Sequence, residues 1–169
     1  CAGIVAAVAN NNIGISGIAY NAKIIPIRIG YSNGLHLTDQ NRTWVTNNNW
    51  IANGITWAVQ NGADILSNSW GGGSPSNAIT NAINYAVNSG RSGKGCTVLF
   101  STGNFNTNVA YPATLPNVIA VGASSPCDQR KTPTSCDGET WWGSNFGSAL
   151  DVVAPGVKIY ATDITGSNG

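Results

Sequence analysis

The chain has 169 residues and a mass of 17.4 kDa, enough for one domain with a sizeable apolar core. Hydrophobic residues make up 42%, mean hydropathy is −0.03 and no apolar run reaches 18 residues, which excludes a membrane-spanning helix. Net charge is +1 with only 9% charged residues, so the basic stripe of a nucleic-acid binder is missing. Polarity comes instead from 22 Asn and 21 Gly, a neutral, turn-rich composition that points to an extracellular protein.

In chain order, residues 1–9 read as a helix with no N-cap before it, followed by a turn at Asn10, Asn11, Asn12, Ile13 and Gly14. Ile24, Ile25, Ile27 and Ile29 predict a buried strand over 23–29, although Pro26 pushes it toward an edge or a bulge. A polar loop covers 30–48. Trp50, Ile51, Ile55, Ala58 and Val59 at helical spacing predict a helix over 50–60, ended by Asn61 and Gly62. A strand over 64–69 leads into Gly71, Gly72 and Gly73. Ala78, Ile79, Ala82, Ile83, Ala86 and Val87 form one helical stripe, with Ser74 as N-cap and Pro75 in the first turn. Three short apolar runs, 97–100, 118–121 and 151–154, complete the set. Strands alternating with helices predict an α/β fold with a parallel sheet, and functional sites at the carboxyl ends of its strands.

Several features carry competing readings. The triple glycine is neither a dinucleotide fingerprint nor a P-loop, because no Lys follows it; it reads as a turn, or as an open edge where another backbone can approach. His36, the only histidine, sits in the polar loop and reads as a surface residue. Cys1, Cys96, Cys127 and Cys136 contain no metal-binding C-x-x-C. Cys127 and Cys136 flank a polar segment and read as a loop-closing disulfide in a secreted protein, or as free thiols in a reducing compartment. Cys1 and Cys96 lie among apolar residues and read as buried thiols. Asn41, Arg42 and Thr43 match a glycosylation acceptor. Trp141 and Trp142 suit sugar binding or loop packing.

Four segments, taken in order, resemble the subtilisin-like serine proteases. The first runs from Cys1, Ala2, Gly3, Ile4 and Val5 through Asn10, Asn11, Asn12, Ile13 and Gly14. The second joins Asn53, Gly54 and Ile55 to Asp64, Ile65, Leu66, Ser67, Asn68, Ser69, Trp70, Gly71 and Gly72. The third joins Ser101, Thr102, Gly103 and Asn104 to Tyr111, Pro112 and Ala113, then Val118 to Gly122. The fourth joins Asn145, Phe146 and Gly147 to Asp151, Val152, Val153, Ala154, Pro155 and Gly156. The resemblance covers the chain apart from two insertions, near 31–48 and 127–142.

The resemblance implies a three-layer fold, with helices on both faces of a mostly parallel sheet. It implies that residues 1–169 are the central part of a single peptidase domain in a secreted, monomeric endopeptidase whose partner is a polypeptide substrate. The family's catalytic Asp and His precede the position of Cys1, and its catalytic Ser follows that of Gly169. The chain then holds no triad residue and is inactive alone; His36 and Asp151 do not match triad positions. Asn104 aligns with the oxyanion-hole asparagine, whose loss in subtilisin itself costs about 10²–10³ in turnover. Ser69, Trp70, Gly71 and Gly72 align with one wall of the primary specificity pocket and Ser101, Thr102 and Gly103 with the other. Ala110 aligns with the pocket floor. Asn48, Ile51 and Trp70 align with a more distant pocket, which the bulk of Trp70 makes shallow. Ala9, Asn11, Ile13 and Ile15 align with a loop that offers oxygen ligands to Ca²⁺ in the parent. An inactive homologue serving as a binding or scaffold domain is the alternative implied. The inserted polar segment needs a covalent tie, so Cys127 and Cys136 are expected to be bonded, with Cα atoms within about 7 Å.

Overall fold

The computed structural model describes residues 1–33 and 43–162. His36, Asp39, Asn41 and Arg42 fall outside the described residues. The chain divides into two compact units, Ile27–Val157 and the pair of segments Cys1–Pro26 and Lys158–Gly169.

The larger unit is built on a four-stranded sheet. Its elements are β1 (Gly30–Ser32), β2 (Trp44–Thr46), α2 (Asn48–Gln60), β3 (Ile65–Asn68), α3 (Asn77–Gly93), β4 (Thr97–Ser101), β5 (Ile119–Ser124) and β6 (Val152–Pro155). Strands β3, β4, β5 and β6 lie in that order and all pair parallel. Leu66, Val98, Phe100 and Ala120 point to one face, where they meet Ile51, Ile55, Ala58 and Val59 of α2 and Ile79, Ala82, Ile83 and Ala86 of α3 in one cluster. Burial of that cluster is the main stabilising term of the unit. The chain is thus an α/β fold with a parallel sheet, as its alternation of elements predicts.

Local chemistry sets the ends of α2. The Asn47 side chain accepts from the Trp50 N–H at 2.9 Å, which caps the first turn. At the far end Gly62 takes φ +84°, and the N–H groups of Gly62 and Ala63 return to the carbonyls of Val59 and Ala58. Only glycine adopts that φ without strain, so Asn61 and Gly62 stop the helix where the sequence indicates.

Several expectations change. Residues 23–29 form no strand. Ile27 and Ile29 pack beside Gly54 of α2, where an added Cβ would sit 2.9 and 3.0 Å from their methyls, while Ile24 and Ile25 are exposed. The isoleucines are partly satisfied by packing, and Pro26 has no N–H to give to a ladder. The ends of the polar loop pair instead: β1 and β2 make an antiparallel ribbon, with Gly30 opposite Thr46. Finally, α3 starts two residues later than predicted. Ser76, not Ser74, is the N-cap, and its carbonyl accepts from both the Thr80 N–H at 2.9 Å and the Tyr111 hydroxyl at 3.0 Å.

The smaller unit holds α1 (Ala2–Ala6), shorter than the predicted helix over 1–9. Ala7 turns to ψ 138°, and the returning chain bonds Gly17, Ile18 and Ala19 to the carbonyls of Ala7, Ile4 and Val5. Those carbonyls are therefore used by the returning chain rather than by a longer helix.

Candidate active site

Because β3 and β4 are adjacent and parallel, with Asn68 opposite Phe100, the loops after them leave the same edge of the sheet. Ser69, Trp70, Gly71 and Gly72 follow β3; Thr102, Gly103 and Asn104 follow β4. Two hydrogen bonds join these loops through a third segment. The Gly72 N–H donates to the Tyr111 carbonyl at 2.7 Å, and the Ala110 N–H donates to the Thr102 carbonyl at 3.2 Å. Gly71 lies so close to this segment that an added Cβ would stand 3.2 Å from the Tyr111 carbonyl oxygen. Ala110 thus sits between the two predicted walls. The Tyr111 hydroxyl pins the same segment to the start of α3 through Ser76 and Thr80.

The predicted site residues differ in how they are presented. Ser69, Gly71, Gly72 and Asn104 are exposed, whereas Ser101, Gly103 and Ala110 are half-buried. Thr102 is buried, its hydroxyl 3.4 Å from that of Ser144, so its backbone rather than its side chain borders the loop. The Trp70 ring stands edge-on to Phe100 with centroids 4.9 Å apart, and its N–H donates to Asn68 at 3.1 Å. That ring closes over the core. Ile51 is buried in the same cluster, and Asn48 is exposed in the first turn of α2. A separate shallow hollow, lined by Arg28, Ile29, Gly30, Tyr31 and Trp50, includes none of the residues chosen from sequence.

In the turn over 9–15, Asn10, Asn12 and Gly14 all take positive φ, and the Asn11 side-chain oxygen accepts from the Ile13 N–H at 3.0 Å. Asn11, Ile13 and the backbone carbonyls of Ala9 and Ile15 are neutral oxygen donors, suited to a hard cation but without a carboxylate among residues 9–15. Among the described residues no group of three or more His, Cys, Asp or Glu is placed to hold a metal.

Within the segment over 125–146, residues 127–142 read from sequence as an insertion closed by a disulfide, and Asn145 and Phe146 as part of a family-like motif. Cys127 and Cys136 are joined in a disulfide with Cα atoms 6.4 Å apart. Between and beside them lies a buried ion pair: Lys131 Nζ stands 2.9 Å from Asp137, both side chains inaccessible, and also donates to the carbonyls of Thr132 and Glu139. The Trp142 ring lies 5.1 Å from the ammonium, and its N–H donates to Glu139 at 2.7 Å. Trp142 therefore packs the loop, while Trp141 is exposed. Burial works against ionising Asp137, but hydrogen bonds from Lys131 and the Glu139 N–H, with the Lys131 charge, hold its carboxyl below the usual range. Cys96 is a buried thiol that donates to the Ala63 carbonyl at 3.0 Å; burial raises its pKa, Arg91 opposing and Asp64 adding. Cys1 is exposed, against expectation: α1 buries only Gly3.

The subtilase family, peptidase S8, matches residues 1–168. An extracellular protease of Xanthomonas campestris pv. campestris is 39% identical over 169 residues, covering 95% of this chain and 26% of that protein. Thermitase of Thermoactinomyces vulgaris is 38% identical over 163 residues, covering 96% and 50%. Subtilisin E of Bacillus subtilis is 34% identical over 173 residues, covering 99% and 39%. The chain spans half or less of the length of these relatives. Among solved structures, the prenylagaramide maturation protease superposes with a TM-score of 0.51 at 26% identity, covering 68% of this chain and 39% of that one.

Proposed function

The chain belongs to the subtilase family, and from that premise we propose that it is the central part of a secreted endopeptidase domain, to which it contributes the oxyanion donor and the substrate-binding walls. The observation that carries this reading is the convergence of residues 69–72 and 101–104 at one sheet edge, bridged by Ala110 and Tyr111. A substrate strand lies along the open backbone at Ser69, Gly71 and Gly72, with its side chain directed between the walls toward Ala110. The small floor residue leaves room for a large apolar group. When the parent's serine attacks the peptide carbonyl, the carbonyl oxygen gains negative charge. The side-chain N–H of Asn104 donates to that oxygen more strongly in the transition state than in the ground state, which is what lowers the barrier.

On this reading Asn48, Ile51 and Trp70 border a second pocket, which the bulk of Trp70 makes shallow. Asn11 and the carbonyls of Ala9, Ile13 and Ile15 supply part of a calcium shell in the parent; its carboxylates come from elsewhere. Calcium there would stiffen the loop rather than take part in peptide cleavage.

In the intact parent, Asn104→Ala should lower kcat by about 10²–10³ with KM little changed, the loss documented for subtilisin's own oxyanion asparagine. A fluorophosphonate probe should label the parent and not residues 1–169 alone. A folded parent that takes no label would instead support the inactive binding domain.

A further inference from the structure

We infer that Asn145 is a positioning residue for Asn104, holding the loop after β4 in the shape that aims the oxyanion donor. The inference rests on the reading of Asn104 above.

One buried carboxamide organises the loop from both sides of Asn104. Asn145 is 1% exposed. Its side-chain oxygen accepts from the N–H of Phe105 at 2.9 Å and of Thr107 at 3.2 Å, and its side-chain nitrogen donates to the Thr102 carbonyl at 3.0 Å. Its backbone N–H donates to the Gly103 carbonyl at 2.9 Å, and the neighbouring Gly143 N–H donates to the Asn104 carbonyl at 3.2 Å. Every residue from Thr102 to Phe105 is therefore hydrogen-bonded to the 143–145 segment. Gly103 adopts φ +106°, and a Cβ there would stand 2.5 Å from the Asn145 nitrogen, so the glycine makes room for the clamp.

The chemistry requires a carboxamide. Only Asn or Gln supplies an acceptor for two N–H groups and a donor for a carbonyl on one short planar group, and Gln is one methylene too long for a site this closed. Removing it takes the acceptor from the N–H groups of Phe105 and Thr107 and strips the Thr102 carbonyl of one of its two donors, the Ala110 N–H remaining, so the loop must shift to find other partners, water among them. Asn104 is exposed, so displacement of the loop moves the donor without opening the core. An oxyanion donor works over a range of only a few tenths of an ångström, and a misplacement of about 1 Å costs on the order of 10²-fold. The effect falls more on kcat than on KM: the wall at residues 69–72 has its own hydrogen bond to Tyr111, while Thr102 and Gly103 of the opposite wall move with the loop.

The test is a cycle in the intact parent protease. Asn145→Ala, Asn104→Ala and the double variant are compared for kcat and KM, with active enzyme counted by burst titration and folding checked by thermal unfolding. Asn145→Ala should lower kcat by about 10-fold or more, within the limit set by Asn104→Ala, and raise KM by a clearly smaller factor. The double variant should be no more than about 3-fold slower than Asn104→Ala alone, since a misplaced donor that is already gone cannot be lost again. Losses that multiply, or an effect on KM alone, overturn the inference. If Asn104→Ala keeps wild-type kcat, the oxyanion reading fails first and takes the inference with it. A full Asn104 loss beside an unimpaired Asn145→Ala overturns the inference alone. Should the alanine variant not fold, Asn145→Asp keeps the volume and the acceptor oxygen, but its carboxylate cannot donate to the Thr102 carbonyl and repels it. It should show a partial kcat loss larger than any change in KM, and wild-type kcat in that variant overturns the inference.

Discussion

The helix–sheet core and the segment over 125–146 each bury side chains completely, by opposite means. In the core, Ile83, Ala86, Val98, Phe100 and Ala120 are nearly inaccessible and make no side-chain hydrogen bonds. Around the disulfide, the inaccessible groups are Lys131, Asp137, Ser144 and Asn145, each held by polar partners. The first kind of burial is non-directional, tolerates many side chains and leaves a periodic trace in the sequence. The second depends on pairs with fixed geometry and leaves no period. Even there one atom is unmatched: the second carboxylate oxygen of Asp137 has no hydrogen-bond partner among the described residues.

This contrast can be broken at several points, each in the intact protein. The largest loss is expected for Phe100→Ala, which empties the centre of the cluster and should cost about 3–5 kcal/mol by chemical denaturation. A cost under about 1 kcal/mol would mean that the sheet and helices do not share one core.

Next comes Asp137→Asn. It leaves the Lys131 ammonium buried against carbonyls alone, and should open the 127–142 segment to proteolytic nicking before the core unfolds. The same pair gives a pH dependence. The Asp137 carboxyl ionises more readily folded than unfolded, so its contribution is present above the unfolded value of about 4 and is lost as pH falls through the lower folded value. The protection of amides 131–144 relative to their intrinsic exchange rates should therefore fall below about pH 4 in the wild-type chain and lack this step in Asp137→Asn.

Replacing Cys127 and Cys136 together by Ser should cost about 2–3 kcal/mol in the chain-entropy model, felt locally. An equal loss of protection in α2 and α3 would show that the loop and the core unfold as one unit. The smallest effect is the helix cap: Asn47→Ala should cost about 1 kcal/mol, read as a small fall in the thermal midpoint.

The two regions were not equally legible. The stripes of α2 and α3, the apolar runs of β4 and β5, and the stop at Asn61 and Gly62 follow from spacing and from local backbone chemistry, which travel with the chain. The isoleucines at 24–29 misled because an apolar run states that burial is wanted, not that a ladder partner is present. The start of α3 was misplaced because the Tyr111 hydroxyl, 35 residues away, shares the Ser76 carbonyl with the helix. The same limit governed the candidate site. Order and spacing picked out Asn104 and the walls around Ala110 through their likeness to a family. The buried Lys131–Asp137 pair and the Asn145 clamp lay inside segments read only as an insertion and a motif end.

By itself, then, the sequence determined the α/β class, the family, the apolar faces of α2 and α3 and the two strand ends beside which the candidate site lies, because period and backbone preference are local properties. Tertiary structure decided which polar groups are buried, which loop residue is pinned by which carboxamide, and how the segment over 125–146 keeps its shape. The clamp depends on hydrogen bonds between residues about 40 positions apart, such as Asn145 to Thr102 and to Phe105, and the Lys131–Asp137 pair, though close in sequence, is buried only once its segment has folded; neither kind of directional bond leaves a periodic signature in the chain.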